Sequence, residues 1–435
     1  MKKAGTILEN HELCYSCFGR LFGKLGHGLT NRERGKALIN TLVIIGGARL
    51  EDINEKEENC EICGGLFDSL DEFAEKGKRK LAGYDYDSFL VGNKMVESIL
   101  KSQKSLENHY ELDNSEEPGK EFNREVGKKT FRLLSADGKS VSVDLEDPHI
   151  QVIFDLSKDT INLQIKPVYI YGRYKKYSRS LPQTPWHCNS CNGKGCEDCD
   201  YTGRLYRDSL AELIGEPILN IAKGDSFLFH GAGREDVDAK MLGYGRPFVV
   251  EISRPTLRDF SLKKVYDSIK DRADNRIEVL NLRKVSKEII RGIKETRTDK
   301  EYRVLAEMNN SIKENALREA LYNLVGEIRQ RTPKRVDHRR ADKYRMREVK
   351  KAEGDIVEKR KVLLNIRCSG GLYVKELISS DEGRTKPSLS GLLNTEMIVK
   401  ELDVTQVFGK LVERENGYKY VRGKPNHQEN YDYID

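Results

Sequence analysis

The clearest periodic pattern in the chain lies in residues 362–378, VLLNIRCSGGLYVKELI. In its first half, apolar side chains occupy every second position, at Val362, Leu364, Ile366 and Cys368. A period of two predicts a strand with one buried face. The pair Gly370-Gly371 follows this strand, and we expect the backbone to bend there.

Other segments predict both helices and strands. Residues 209–224, SLAELIGEPILNIAKG, have the spacing of an amphipathic helix, and residues 256–292 suggest polar helix with short strands. Residues 248–252, FVVEI, predict a buried strand, and strand-like alternation also occurs at 141–143 and 152–154. Periodicity alone therefore indicates an α+β protein.

The length of the chain predicts more than one domain. A chain of 435 residues exceeds what a single hydrophobic core of about 250–300 residues supports. The cysteine pairs and the changes of pattern along the chain suggest the boundaries. We expect a cysteine module, a middle domain, a cysteine knuckle that links the two halves, and a larger last domain, at residues 1–65, 66–185, 186–209 and 210–435.

The distribution of charge indicates the class of ligand better than the net charge does. The net charge of +6, from 76 basic and 70 acidic residues, is too small to indicate nucleic acid. Residues 331–351 carry ten Lys/Arg against three acids, and residues 166–180 combine five Lys/Arg with four tyrosines and no acid. Each segment alone is equally explained by a solvated surface. Together they favour RNA, because cations meet phosphates and rings stack on bases.

The basic run has a predicted shape. Pro333 breaks a helix, so we expect Arg335, Arg339 and Arg340 to form a cationic loop that grips the RNA backbone. Residues 350–354 are expected at the tip of a solvated, disordered hairpin.

Membrane and secretory classes are disfavoured by the sequence. The longest apolar run, near residues 42–45, is far shorter than the roughly 20 residues of a membrane-spanning helix. The first residues, MKKAGTILENHELC, contain two lysines but no apolar segment of a secretory signal. We therefore expect a cytoplasmic protein that does not contact a membrane.

Eight of the nine cysteines form CxxC pairs, and Cys368 stands alone. Without a secretory signal, bound metal explains such pairs better than disulfides do. Two CxxC turns complete a tetrahedral site with four sulfur ligands, which leaves no position for water, so such a zinc ion would be structural. The stronger candidate combines Cys14, Cys17, Cys60 and Cys63. The less certain candidate combines Cys188, Cys191, Cys196 and Cys199.

Candidate chemistry lies in residues 230–252, HGAGREDVDAKMLGYGRPFVVEI. Three acids, Glu235, Asp236 and Asp238, stand among glycines directly before the predicted buried strand. One of these carboxylates is a candidate reactive group on a rigid mount. Alternatively, all three are solvated loop residues or helix caps.

Further motifs resemble a known family. They are DKEYRVLAEM with Tyr302, QRTPKRVDHRRA at residues 330–341, and CSGGLYVKELISSDEGRTKPS with Tyr373 and Lys375. With the GREDVDAKML loop they resemble the pseudouridine synthases, in particular the archaeal and eukaryotic family that modifies positions 54 and 55 in the TΨC arm of tRNA. LGHGLTNRERG and PQTPWHCNSCNGKGC match that family as well, so the resemblance covers most of the chain.

The resemblance implies a fold, a reaction and a substrate. It implies an N-terminal zinc module and a THUMP-containing RNA-binding domain, followed by a pseudouridine synthase domain with a mixed, mostly antiparallel sheet. The implied reaction isomerises uridine to pseudouridine in tRNA, at position 54, 55 or both. The protein would carry structural zinc, the reaction needs no organic cofactor, and no obligate protein partner is indicated.

The resemblance also implies roles for individual residues. Asp236 corresponds to the essential aspartate of a Gly-Arg-x-Asp loop, with Asp238 as the near alternative. Tyr302 would stack on the target base, Tyr373 would also touch it, and Lys375 would pair with the aspartate. Arg234 either binds phosphate or pairs with Glu235.

Structural and functional alternatives remain open. Tyr302 is also explained as a core residue, Tyr373 as the cover of a sheet end, and Lys375 as a surface lysine. A catalytically inactive, zinc-containing tRNA-binding protein is the alternative function. A zinc-dependent RNA deaminase fits less well, because it needs a His/Cys-x-Glu unit with an open zinc position, and no such unit lies beside the cysteine pairs.

Overall fold

The computed structural model describes three stretches of the chain, residues 1–46, 59–415 and 417–425. Two compact units are present. One comprises Met1–Lys166 with Thr256–Arg258, and we call it the N-terminal unit. The other comprises Pro167–Pro255 with Asp259–Asp435, and we call it the C-terminal unit. Within the described stretches, no helix is long and apolar enough to cross a membrane.

The N-terminal unit combines helices with a small sheet. Its helices are α1 (Lys2–Asn10), α2 (Tyr15–Leu21), α3 (Asn31–Ile44), α4 (Leu70–Leu81), α5 (Glu97–His109) and α6 (Pro118–Ala136). Its strands are β1 (Ser88–Lys94), β2 (Ser142–Val143), β3 (Ile150–Asp155) and β4 (Thr160–Ile165). The strand order is β2-β1-β3-β4, in which β1 runs parallel to both neighbours and β4 is antiparallel to β3.

Local sequence explains where these elements begin and what they bury. A capping box starts α3, since Thr30 accepts a hydrogen bond from the backbone of Glu33 and the Glu33 carboxylate accepts one from that of Thr30. The rings of Phe122 in α6 and Phe154 in β3 meet edge to face at 5.7 Å between centroids. Both rings are fully buried, so the sheet and α6 share one core.

The C-terminal unit is built on a larger sheet. Its strands are β5 (Val168–Lys176), β6 (Ser226–Gly231), β7 (Lys240–Ser253), β8 (Ile277–Val285), β9 (Lys300–Met308), β10 (Gly326–Arg331), β11 (Tyr344–Glu358), β12 (Lys361–Cys368), β13 (Thr385–Lys386), β14 (Met397–Val407), β15 (Gly409–Arg414) and β16 (Gly417–Arg422). Its helices are α7 (Leu210–Ala222), α8 (Leu262–Ala273), α9 (Glu288–Glu295), α10 (Glu314–Leu324), α11 (Val374–Ser379) and α12 (Leu389–Leu393). Short 3₁₀ helices are formed by Glu197–Cys199 and Lys334–Arg339.

The strand order of the large sheet is β13-β10-β11-β12-β9-β14-β7-β5-β8, with β6 paired to β7. Strands β14 and β7 run parallel. The other described pairs in this sheet are antiparallel. This mixed, mostly antiparallel sheet in an α+β chain confirms the expected fold class.

The two strands that the sequence predicts most clearly are both present. In β7, Phe248 and Val250 pack into the core beneath α7 and α8, whereas Val249 faces the opposite layer with Ile289 of α9. Both faces of β7 are therefore buried. In β12 the four alternating apolar side chains are all buried, as the period of two indicates.

Two segments differ from expectation. Residues 350–354 do not form a disordered hairpin tip, because they lie inside β11, where residues 351–354 pair with β12. The turn falls instead between Glu358 and Lys361. The basic, tyrosine-rich segment that we grouped with the middle domain forms β5, which pairs with β7 and β8 inside the C-terminal unit.

Candidate active site

Residues 232–239, which connect β6 to β7, form what we call the aspartate loop, and its buried acid Glu235 anchors it. The Glu235 carboxylate lies 2.8 Å from Nε of Arg246, and both side chains are 1% exposed. The Tyr174 hydroxyl donates to this carboxylate at 2.8 Å and accepts from Nε2 of Gln183 at 2.8 Å. This buried ion pair fixes the loop, because moving either partner away would leave the other charge buried without its counter-charge.

A lysine and a glycine shape the rest of the aspartate loop. Lys176 is fully buried and donates from Nζ to the carbonyl oxygen of Val237 at 2.7 Å. Burial lowers the pKa of Lys176 to about 8. Gly233 has φ +86°, and a β-carbon there would lie 3.0 Å from Nζ of Lys300 and 3.1 Å from Nη1 of Arg246. Glycine thus permits both the turn and the close approach of these cations.

Asp236 lies between two cations. Arg335 donates from Nη1 to Oδ1 of Asp236 at 3.2 Å, and Nζ of Lys375 lies 3.4 Å from Oδ2. Lys375 also donates to both carboxylate oxygens of Asp238, at 2.8 and 3.0 Å. Burial raises the pKa of Asp238, but the contacts with Lys375 and the charge of Lys176 lower it, and the net shift is downward. The side chain of Asp236 is 31% exposed and that of Asp238 is 62% exposed.

Arg335 links the aspartate loop to α11. Its Nε donates to Oε1 of Glu376 at 2.6 Å, and its guanidinium carbon lies 5.9 Å from the centroid of the Tyr373 ring. Burial opposes the charged form, but Glu376 and Asp236 raise the pKa of Arg335 above its ordinary value. From the sequence, Arg335 is predicted to grip RNA. In the structure, its guanidinium contacts two carboxylates of this site.

The two tyrosines named from the sequence occupy fixed positions. Tyr302 lies on β9 between β12 and β14, is half-buried, and packs against the cores on both sides. Burial raises the pKa of its phenol. Tyr373 precedes α11, where its backbone N–H donates to Oε1 of Gln330 at 2.8 Å and its carbonyl accepts from Nε2 at 3.0 Å.

A cavity of about 590 Å³ brings these groups together, a volume suited to a small organic ligand or a nucleoside. It is lined by seven residues named from the sequence: Arg234, Asp236, Tyr302, Arg335, Arg340, Tyr373 and Lys375. The side chain of Arg339 lies outside the described part of the structure. The cavity therefore joins the aspartate loop, β9 and the start of α11.

Sequence reasoning missed several residues that line the same cavity. These are Trp186, Arg246, Arg297, Lys300, Arg345 and Arg347. Burial lowers the pKa of Lys300 to about 8. The sequence does contain a feature that could have identified Arg246. This arginine stands two residues before the apolar run of β7, and a cation next to a buried strand needs an acidic or hydrogen-bonding partner.

Two groups of four cysteines occur within the described residues, and the sulfurs of each group lie within 4.8 Å of one another. They are the two predicted sets. The first cluster comprises Cys14, Cys17, Cys60 and Cys63, and the second cluster comprises Cys188, Cys191, Cys196 and Cys199. Either could hold a metal ion. Sulfurs bound at about 2.3 Å to a tetrahedral zinc lie about 3.8 Å apart.

Sulfur distances in both clusters agree with that geometry. In the first, Cys14 and Cys63 are 3.8 Å apart. In the second, Cys191 and Cys199 are 3.8 Å apart. Backbone N–H groups of Cys191 and Ser190 lower the pKa of the Cys188 thiol, which favours the thiolate that binds metal. The donor sets therefore fit zinc.

Comparisons with known proteins agree with the geometry. A family model described as "Pus10, C-terminal" matches residues 169–408, and one described as "Pus10 THUMP domain, archaeal" matches residues 73–155. A relative from Methanothrix thermoacetophila, named tRNA pseudouridine synthase Pus10, is 41% identical and covers 93% of this chain and 94% of its own. A relative of the same name from Methanocaldococcus jannaschii is also 41% identical, over 92% of this chain and 93% of its own.

A solved structure entitled "Crystal Structure of a Cbf5-Nop10-Gar1 Complex" is a weaker match, with 20% identity, a TM-score of 0.28, and coverage of 44% of this chain and 43% of that one. At that score it adds nothing to the assignment. The two domain matches and the near full-length relatives confirm the resemblance found in the sequence. The chain belongs to the Pus10 family of pseudouridine synthases.

Proposed function

We propose that this family member isomerises uridine to pseudouridine at positions 54 and/or 55 in the TΨC arm of tRNA, with Asp236 as the essential carboxylate. One observation carries the proposal: the Asp236 carboxylate lies between Lys375 and Arg335 in a cavity that Tyr302 also lines. Perturbed and paired charges around an accessible carboxylate in a cleft are typical of active sites.

The reaction needs no cosubstrate, because uridine and pseudouridine are isomers. The C1′–N1 bond breaks, the base turns, and a C1′–C5 bond forms; C5 then loses a proton and N1 gains one. A carboxylate can act here in two ways. Asp236 either attacks C1′ as a nucleophile or assists removal of a sugar proton to give a glycal.

The surrounding residues orient the reacting groups. Lys375 and Arg335 fix the direction of the Asp236 carboxylate through charge-assisted contacts. The Glu235–Arg246 pair, one residue from Asp236, holds the loop rigid. Because the target base must leave its stack, Tyr302 serves as the surface that receives it, and Tyr373 contacts the same nucleotide.

The cations of the cavity suit the tRNA backbone. Besides Arg246 and Arg335, which pair with carboxylates, five further arginines line it: Arg234, Arg297, Arg340, Arg345 and Arg347. Such groups displace counterions from phosphates and position the RNA without reading its sequence. We assign further tRNA binding to the N-terminal unit, since the THUMP match lies within it.

Both cysteine clusters are proposed to hold structural zinc. All four ligands of each are sulfur, so neither leaves a position for a reactive water. The isomerisation requires no organic cofactor. A tRNA substrate also supports the proposal of a cytoplasmic protein.

The deciding experiment compares Asp236→Asn with its neighbour Asp238→Asn. Each protein is incubated with unmodified tRNA, and pseudouridine is mapped chemically at positions 54 and 55. We expect Asp236→Asn to abolish turnover while tRNA binding persists, because only the reacting carboxylate is lost. Asp238→Asn is expected to retain turnover, since Asp238 contacts Lys375 on the more exposed side.

Each contrary outcome has a distinct meaning. If only Asp238→Asn is inactive, the essential carboxylate is Asp238. If the wild-type protein binds tRNA but forms no pseudouridine, the chain is a tRNA-binding protein without this activity. Pseudouridine at a single position would settle which of the two uridines is the substrate.

A further inference from the structure

Trp186 is a cavity residue that the proposed reaction does not use. It is the single tryptophan of the chain, it is half-buried, and it lines the cavity that contains Asp236. The guanidinium carbon of Arg234 lies 5.5 Å from the centroid of its ring. The ring of Tyr206 meets it edge to face, at 5.8 Å between centroids and 79° between planes. Trp186 is therefore fixed from two sides.

The second cysteine cluster fixes the backbone of Trp186. Its carbonyl accepts a hydrogen bond from the N–H of Leu205 at 3.0 Å, and the N–H of Cys188 donates to Gly203 at 2.8 Å. These bonds pair the chain that enters the cluster with the chain that leaves it. A metal bound by the four sulfurs would hold the two ends of the same segment together. Trp186 therefore lies at the base of a short knuckle formed by residues 186–205.

The aspartate loop fixes Arg234, the other partner of this cation–π contact. Arg234 lies between Gly233, whose carbonyl accepts from Nε2 of Gln183 at 3.0 Å, and the anchored Glu235. Gln183 stands three residues before Trp186, so this segment meets the loop at two points. Arg234 is two residues from Asp236, so this contact lies close to the proposed reacting group along the chain.

We propose that Trp186 and Arg234 form a stacking site for a second nucleobase, one that neighbours the target uridine in the RNA. The proposal rests on the proposed function. When one base leaves its stack, its neighbour loses a stacking partner, and an aromatic ring or a guanidinium plane replaces it. The ligand is a base in single-stranded RNA of any identity, because every base offers a π face.

The test uses the fluorescence of this one tryptophan and a non-converting background, Asp236→Asn. Titration with an unmodified T-arm hairpin RNA is expected to change Trp186 emission. A fully paired duplex of equal length is expected to change it little. Dissociation constants are then measured with labelled hairpin. Trp186→Ala is expected to weaken binding about tenfold, the value of one stacked base, whereas Trp186→Phe retains most of the affinity.

Controls separate stacking from folding. Tyr322→Ala removes an aromatic ring that is 83% exposed on α10, away from the cavity lining, and should leave affinity unchanged. Metal content and thermal unfolding of Trp186→Ala show whether the knuckle remains intact. If the knuckle of Trp186→Ala is not intact, two other measurements test the stacking site. They are the change of Trp186 emission in the Asp236→Asn protein and the RNA affinity of Trp186→Phe.

The outcomes also separate this site from the activity itself. Unchanged affinity in an intact Trp186→Ala protein, or hairpin binding without any change of emission, would overturn the stacking site while leaving the isomerase proposal standing. If RNA changes Trp186 emission in a wild-type protein that forms no pseudouridine, the stacking site is supported and the proposed isomerase activity is contradicted.

Discussion

The two cysteine clusters have the same ligands, but the chain builds them in different ways. The first joins cysteines from two distant segments, and all four are buried in the apolar core of the N-terminal unit beside Leu13 and Phe18. The second lies within residues 188–199, and two of its cysteines are partly exposed. The first cluster is therefore part of a domain core, whereas the second organises a local segment.

The groups that donate hydrogen bonds to the sulfurs of the two clusters also differ with burial. Arg20 donates from Nη2 to Sγ of Cys17 at 3.0 Å and lies 2.8 Å from the Glu121 carboxylate, with both charged side chains almost fully buried. Sulfurs of the second cluster accept from backbone N–H groups, including Gly195 to Cys191 at 3.1 Å. A buried cation is needed where thiolates are far from water. Backbone dipoles suffice nearer the surface.

Cys60→Ser is expected to have the largest effect on stability. Structural zinc contributes an apparent 10–16 kcal/mol or so in small zinc domains at neutral pH, comparable with the roughly 5–15 kcal/mol that stabilises a whole domain. Losing one ligand of the first cluster should unfold the N-terminal unit and release one metal ion per chain. Thermal unfolding and metal analysis measure this.

Cys368→Ala is the matched control for that change. Cys368 is equally buried but belongs to neither cluster, so its loss should cost only a small packing term and no metal. A folded, soluble Cys60→Ser protein with an unchanged unfolding transition would show that the first cluster does not hold the unit together.

Glu235→Gln is expected to have the next largest effect on stability. It tests whether the Glu235–Arg246 ion pair, rather than the second cluster, holds the aspartate loop. The change leaves the guanidinium of Arg246 buried without its counter-charge, which costs about 3–5 kcal/mol. Denaturant unfolding of the C-terminal unit measures the loss. The metal content should stay the same, because no ligand has changed.

Asp238→Asn is the comparison for this substitution. It alters a carboxylate two positions beyond Asp236 that is 62% exposed, so its effect on stability should stay within about 1 kcal/mol. Equal losses for the two variants would mean that burial of Glu235 contributes little to the fold.

Short-range patterns made parts of this molecule predictable. Spacing alone identified both cysteine clusters, since CxxC turns set the geometry of two ligands at once. The alternation of apolar and polar side chains identified β12, because one face of this strand is buried and the other is more exposed. The family motifs named Asp236, Tyr302 and Lys375, and the structure brings these residues into one cavity.

Long-range contacts were beyond the sequence. The acids Glu235 and Asp236 look alike in a polar stretch, yet one is buried against Arg246 from a later strand and the other faces the cavity. Arg335 was predicted to grip RNA, and its contact with Asp236 spans 99 residues of chain. Residues 350–354 were predicted at a solvated hairpin tip, whereas their pairing with β12 makes them part of a strand.

Cys191→Ser is expected to have the smallest effect on stability. Cys191 is partly exposed, and its cluster closes only a local segment, so its loss should open residues 186–205 without unfolding the C-terminal unit. About 1 kcal/mol, or 2–4 °C in Tm for a domain of this size, is the expected cost. The metal content should fall by one ion per chain, and Trp186 emission should shift because the stem that holds it is no longer closed. The contrary result is that Cys191→Ser unfolds the C-terminal unit, just as Cys60→Ser unfolds the N-terminal unit. Both clusters would then be part of a domain core, and the difference in their burial would not predict their contribution to stability.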